Sequence, residues 1–236
     1  MKIFLAGATG AIGRPLVPLL LNARHYVIGT TRSTTKADRL RAAGVDPVVV
    51  DVFDAQALSA AVLEAHPDII VHQLTDLPPG LDPSQMAEGT QRNARMRSQG
   101  TQNLVAAALG AGVHRLIAQS IAWMYVPGKE PHSEDDPLDI DARGTRAITA
   151  AGVATPERLT ASSPPIDGVV LRYGHLYGPG TGACTAEGRC TSMPQPPPRR
   201  WRWRRLSAAS TTSLNQADTS QRRRHSANSV STRARD

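Results

Sequence analysis

The sequence predicts an α/β fold built on a doubly wound parallel sheet, and three observations carry that expectation. Short segments that are apolar throughout alternate with helix-patterned segments along roughly the first 170 residues. The apolar stretches lack the polar-out alternation of a half-exposed strand, as expected where a sheet is covered on both faces. The first of them, Ile3 to Ala6, runs into three glycines, Gly7, Gly10 and Gly13, just as a helical pattern begins.

Each element has its own signal. Residues 2–6 read as the first strand. Residues 11–23 read as the first helix, because Ile12, Leu16, Val17, Leu19, Leu20 and Leu21 recur at helical spacing. Tyr26 to Thr30 is the second strand, and Lys36 to Ala43 a helix. Pro47 to Val50 is the third strand, followed by a helix over Ala55–Ala65 with Asp54 as the better cap. Pro67 announces a fourth strand, Asp68 to His72. A long helix is predicted over about 84–111, ended by Gly110 and Gly112. Val113 to Ala118 is the fifth strand, a helix falls within 142–160, and Gly168 to Leu171 is the sixth strand. Alternation of this kind describes a Rossmann-type fold.

The chain has 236 residues, enough for one α/β domain with a sizeable core. Its formal net charge of +7 points toward nucleic acid until the charge is located. Residues 1–182 hold 16 Lys+Arg against 17 Asp+Glu, whereas residues 183–236 hold 11 against 3. The basic charge belongs to the last segment, so no nucleic acid is expected on the folded domain. Lys2 is followed by too few apolar residues for a signal peptide, and no apolar run approaches the ~20 residues of a membrane span. A cytoplasmic protein with no membrane partner is expected. Cys184 and Cys190 have no His or Cys partners at ligand spacing, so no metal site is expected.

The pattern breaks after Gly182. Of Leu, Val and Met, the last 54 residues contain only Met193, Leu206, Leu214 and Val230, beside 14 Ser+Thr and an Arg/Pro/Trp block. Such a segment buries too little apolar surface to offset its ordering entropy, and a disordered basic tail is expected over 183–236. Two readings stay open. Trp201 and Trp203 among arginines suit RNA or an anionic surface. An excess of Arg, Pro, Ser, Thr and Ala with almost no aliphatics suits out-of-frame translation of a GC-rich gene.

Strand, tight turn and helix start are the context a dinucleotide-binding glycine motif needs. Gly7 takes a turn that a Cβ would obstruct, Gly10 lets the backbone approach a pyrophosphate, and Gly13 permits close helix–strand packing. The phosphates would rest on free N–H groups at the helix start. The second strand runs into Thr30, Thr31 and Arg32 rather than the Asp or Glu that holds a ribose 2′-hydroxyl. Hydroxyls and a guanidinium suit a 2′-phosphate, so NADP is expected over NAD.

The glycine spacing is GxxGxxG, and with its surroundings, Gly7-Ala8-Thr9-Gly10-Ala11-Ile12-Gly13, it resembles the extended short-chain dehydrogenase/reductase family, the NAD-dependent epimerase/dehydratase group. The resemblance runs over residues 1–182, and Leu171-Arg172-Tyr173-Gly174 with Tyr177-Gly178-Pro179-Gly180 extends it to the sixth strand. It implies that Gly7, Thr9, Gly10, Ala11, Ile12 and Gly13 hold the cofactor phosphates. It further implies that Thr31 and Arg32 meet the ribose, that Asp51 and Val52 meet the adenine, and that Gln73 and Leu74 form a backbone wall. His72 reads as a neutral core histidine. Gly100-Thr101-Gln102-Asn103-Leu104 resembles a family helix motif, with Arg97 where an Asn is usual.

The resemblance also implies a Ser or Thr after the fifth strand and a Tyr-x-x-x-Lys on the next helix. Ser120 matches the first, as the group that polarises a substrate oxygen. The second fails: Thr149 and Val153 stand in place of Tyr and Lys. Tyr125-Val126-Pro127-Gly128-Lys129 matches the letters, but Pro127 and Gly128 oppose a helix. Tyr125 is therefore a loop residue and the nearest substitute acid. The family builds its smaller substrate domain largely from residues after the YGPG motif, so that domain is expected to be truncated or missing here. The resulting expectation is an NADP-linked oxidoreductase or epimerase-like enzyme with a small-molecule carbonyl, hydroxyl or nucleotide-sugar-like substrate, a homodimer being allowed. A non-catalytic NADP-binding module or redox sensor, and a defective truncated product, are the alternatives.

Overall fold

The computed structural model describes residues 1–174 and Leu176. Six strands form one parallel sheet: β1 (Lys2–Ala6), β2 (Tyr26–Thr31), β3 (Asp46–Val49), β4 (Ile69–His72), β5 (Arg115–Ile121) and β6 (Asp167–Tyr173). Their order is β3-β2-β1-β4-β5-β6. The helices are α1 (Gly13–Asn22), α2 (Thr34–Ala42), α3 (Ala55–Ala65), α4 (Met86–Arg95), α5 (Thr101–Gly110) and α6 (Thr145–Ala161). This is the doubly wound Rossmann-type sheet that the alternation predicts. After β1 the chain moves outward through β2 and β3, then returns to place β4 on the other flank of β1. That reversal opens a crevice over the C-terminal ends of β1 and β4.

The strands are apolar throughout because both faces are covered. On one face Phe4, Ile70 and Leu116 pack with Leu58 and Val62 of α3 and Leu104 of α5. On the other, Leu5 and Val27 pack with Val17 of α1, Leu40 of α2 and Val45. Register follows the same logic, with Ile3 beside Val27 on one side and Ile69 on the other.

Several predicted boundaries move. The long helix at 84–111 is three pieces, α4 and α5 joined by a π-helical segment at Met96–Gly100. It is preceded by 3-10 turns at Pro79–Leu81 and Pro83–Gln85, where the positive φ of Gly80 and Leu81 interrupts a continuous helix. The strand expected to end at Ala118 continues to Ile121, paired with β6 as far as Tyr173. Ser120 is therefore inside β5. Asp54 is the N-cap of α3, its carboxylate accepting from the Ala57 N–H at 2.9 Å. The Tyr177–Gly180 motif, Cys184, Cys190, the boundary at residue 182 and the basic tail lie outside the described residues. Among the described residues no helix is long and apolar enough to cross a membrane, and no cluster of His, Cys, Asp or Glu is placed to hold a metal ion.

The glycine turn leaves no room for side chains at Gly7 or Gly13. Gly7 has φ +94°, and a Cβ there would lie 2.8 Å from the Gln73 carbonyl. A Cβ on Gly13 would fall onto the Gly7 carbonyl oxygen and 2.7 Å from Ala8 backbone carbons. Gly13→Ala should therefore destabilise the domain by about 1–3 kcal/mol through overpacking, read as a lower urea midpoint at unchanged slope.

Candidate functional site

A cavity of about 410 Å³ opens over the crevice at the C-terminal ends of β1, β2 and β4. Gly7, Thr9 and Gly10 line its middle. The Gly10 N–H donates to the Gly7 carbonyl at 3.0 Å, closing the turn before α1. No side chain caps the start of α1. An uncapped helix start leaves N–H groups facing outward, the ordinary means of holding a phosphate. Ala11, Ile12 and Gly13 form that start.

At one end of the cavity lie Thr31, Arg32, Ser33 and Lys36. Local chemistry sets them there. The Ser33 hydroxyl accepts from the Lys36 N–H at 3.4 Å and caps α2, while the Ser33 N–H donates to Thr31 Oγ1 at 3.2 Å. This turn brings Arg32 and the first-turn Lys36 to one rim. Sequence reading passes over Ser33 and Lys36. A Ser cap with cations on either side of it is the signal that finds them. No carboxylate lines the cavity.

Val50 and Val52 form the adjoining wall, and the Asn103 amide donates to the Val52 carbonyl at 2.8 Å. Asp51, expected at the adenine, is exposed, and its carboxylate accepts from the Phe53 N–H at 3.0 Å. It is not on the cavity lining.

Gln73, Leu74 and Thr75 form the other end. The Gln73 N–H continues the sheet ladder to the Ala6 carbonyl at 2.8 Å. Leu74 is held twice: its N–H donates to His72 Nδ1 at 3.2 Å, and its carbonyl accepts from the Gln119 amide at 2.8 Å. His72 Nδ1 is thus an acceptor, which puts the ring proton on Nε2, 3.0 Å from Thr101 Oγ1. Burial, reinforced by the nearby Arg97 charge, pushes the His72 pKa down to about 4. The ring is neutral, as expected.

Ser120 and Tyr125 stand apart from this cavity. Ser120 is buried, and its hydroxyl donates to Glu157 Oε1 on α6 at 2.5 Å. Arg172 of β6 grips the same carboxylate, with Nη2 to Oε2 at 2.7 Å and Nε to Oε1 at 3.0 Å. Burial opposes the Arg172 charge, but hydrogen bonds and charge from Glu157 outweigh it and raise its pKa. The Tyr125 ring stacks on His132 at 4.8 Å with the Arg172 guanidinium 4.9 Å from its centre. Val153, in the place of the missing Lys, is buried in an apolar cluster with Ile121, Met124 and Ala150. Arg97 is buried on the π segment, where burial lowers its pKa to about 10 against the opposing charge of Glu157. Its Nε has no hydrogen-bond partner among the described residues.

Comparison with known proteins bears on the family and the fold. The model of the NAD dependent epimerase/dehydratase family matches residues 3–193. A Streptomyces sp. protein named 3-diazoavenalumate denitrifying reductase is 46% identical over 185 residues, 77% of this chain and 58% of that protein. An Agrobacterium tumefaciens short-chain dehydrogenase/reductase superfamily protein with bound NAD is similar at 25% identity and TM-score 0.58, covering 74% of this chain and 49% of the other. Thermus thermophilus UDP-glucose 4-epimerase, complexed with NAD, is similar in fold at TM-score 0.63 and 24% identity, over 78% and 60%. The chain thus spans about half to three-fifths of the length of these relatives.

Two outcomes follow from the buried groups. The folded His72 pKa lies below the unfolded value of about 6.5. The unfolded state therefore binds the extra proton between those values, and stability falls as pH falls from about 6.5 toward 4. His72→Gln should flatten that dependence by up to about 3 kcal/mol, measured by urea unfolding at stepped pH. Glu157→Leu should cost about 3 kcal/mol by leaving the Arg172 charge buried, and Glu157→Leu with Arg172→Leu should regain part of that loss in the same assay.

Proposed function

This chain belongs to the NAD dependent epimerase/dehydratase family, and we propose that it is an oxidoreductase that prefers NADP to NAD. The observation that carries the preference is the rim of Arg32, Lys36, Thr31 and Ser33, with no carboxylate on the cavity lining. Two cations and two hydroxyls suit a 2′-phosphate, whereas a ribose 2′-hydroxyl calls for an acidic acceptor. The middle of the cavity fits the rest of the molecule. The positive φ of Gly7 and the uncapped start of α1 leave backbone N–H groups and no side chain where a pyrophosphate belongs.

Gly7, Thr9, Gly10, Ala11, Ile12 and Gly13 would hold the phosphates, Thr31, Ser33, Arg32 and Lys36 the phosphorylated ribose, and Val50 and Val52 the adenine face, with Asp51 at its edge. Gln73 and Leu74 would border the second nucleotide. When bound, the dinucleotide supplies hydride chemistry at its nicotinamide ring. The Streptomyces relative, a reductase by name, supports oxidoreductase over epimerase chemistry. The substrate proposed is a small molecule with a reducible carbonyl or related electrophilic carbon.

A second reading, a non-catalytic NADP-binding module, is favoured by one observation. Val153 sits in a buried apolar cluster rather than carrying an ammonium toward the cofactor. Turnover of any aldehyde or sugar nucleotide by purified protein eliminates that reading.

The test of the cofactor assignment is a parallel titration with NADPH and NADH, followed by nicotinamide fluorescence. NADPH should bind at least about tenfold tighter. Arg32→Ala and Lys36→Ala should each weaken NADPH by about tenfold or more, the value of a charge-assisted bond, and leave NADH nearly unchanged. Equal affinity for the two cofactors in wild type would reject the preference, and no binding of either by folded protein would reject the site.

A further inference from the structure

Tyr173 ends β6 and is half-buried at the C-terminal edge of the sheet. Its hydroxyl accepts a hydrogen bond from the Gln73 amide nitrogen at 3.1 Å, across 100 residues of sequence. Gln73 is a wall residue of the cavity, fixed at its own backbone by the Ala6 carbonyl. Among the described residues, Tyr173 is the one phenol joined to the cavity wall. Tyr26 is exposed at the far end of its strand, with its hydroxyl on Asp46. The Tyr125 ring is stacked on His132 beside Arg172. The Ser120 proton is committed to Glu157.

The position has a direction as well. The cationic rim of Arg32 and Lys36 lies at the β2 end of the cavity, the glycine turn is in the middle, and Gln73 is at the β4 end. A dinucleotide with its 2′-phosphate on the rim and its pyrophosphate on the turn would run on past Gln73, toward β5 and β6. Tyr173 stands on that side, beside Ile121 in the β5–β6 register.

We propose that Tyr173, held by Gln73, is the proton-donating phenol of the hydride-transfer site, in the role for which helix α6 offers no tyrosine. The assignment rests on the cofactor reading above. In carbonyl reduction the carbon gains hydride from the reduced dinucleotide, which is oxidised. The C=O π pair moves to oxygen, and that oxygen takes the phenol's proton. The phenolate keeps the Gln73 N–H bond and regains a proton from water. Gln73 has a further feature of a site residue: its buried Oε1 has no hydrogen-bond partner among the described residues. Burial keeps the free phenol protonated, raising its pKa against the opposing Gln73 hydrogen bond. Among the described residues these two influences act on it, and no carboxylate or cation adds to them.

The experiment is an ultraviolet phenolate titration of the full chain, with and without saturating NADP+. The four tyrosines, Tyr26, Tyr125, Tyr173 and Tyr177, are compared between wild type and Tyr173→Phe. The positive nicotinamide ring beside Tyr173 should lower one phenol's titration by about 1 pH unit or more, and Tyr173→Phe should abolish that shift while still binding NADP+. Gln73→Leu, which keeps the phenol but removes its N–H donor, should move the shifted titration back up, and it stands in should Tyr173→Phe not fold. A shift that persists in Tyr173→Phe, or NADP+ binding without any shift, overturns the assignment and leaves the cofactor site intact. Folded protein that does not bind NADP+ overturns both.

Discussion

The structure depends on the contact between the first helix and the first strand. With hydrogen at Gly13, α1 can lie against the Gly7 carbonyl and Ala8, and with hydrogen at Gly7 the turn can press on the Gln73 carbonyl. Those two approaches bring the uncapped start of α1 over the junction of β1 and β4, where the strand order reverses. A helix displaced by the width of one methyl group would leave the crevice without the backbone that lines its middle. The same packing makes the cavity continuous from the β2 rim to Gln73. One steric constraint thus sets both the core and the site.

A second organising element is the carboxylate of Glu157. It receives the Ser120 hydroxyl and both Nε and Nη2 of Arg172, and so ties β5, β6 and α6 together. Its side chain is only 10% exposed, so losing either partner exposes a charge to a poorly solvated interior. The arrangement also explains why Ser120 is not a free hydroxyl at the cavity. The neighbouring positions Ile121, Met124, Ala150 and Val153 are apolar and packed together. Proton chemistry, where this chain performs it, has to come from another element. The Gln73–Tyr173 pair at the same sheet edge supplies a phenol there.

The fold was legible because its signals are local. Helical recurrence of leucines, uninterrupted apolar strands, Asp54 before α3 and Pro67 before β4 each act within a few residues. The fold class follows from counting them in order. The glycine motif is equally local, since one strand, one turn and one helix start carry it. Boundaries were less legible where pairing decides them. β5 runs on to Ile121 because β6 offers partners that far, and nothing in residues 113–121 alone announces it.

The site was legible in its first half and not in its second. Gly7, Thr9, Gly10, Thr31 and Arg32, which line the cavity, belong to contiguous motifs that sequence alone picks out, because backbone conformation and turn chemistry are properties of neighbouring residues. Lys36 joined them through a cap that forms only once α2 is in place. Sequence gives Ser120 as a hydroxyl that polarises a substrate oxygen, and the partner that occupies it lies 37 residues away. Tyr173 was read as part of a strand motif because its partner lies 100 residues away. Tertiary structure alone decides such pairs. A hydrogen bond reaches only about 3 Å, so it is settled by where folding brings two strands, not by the residues on either side of each partner.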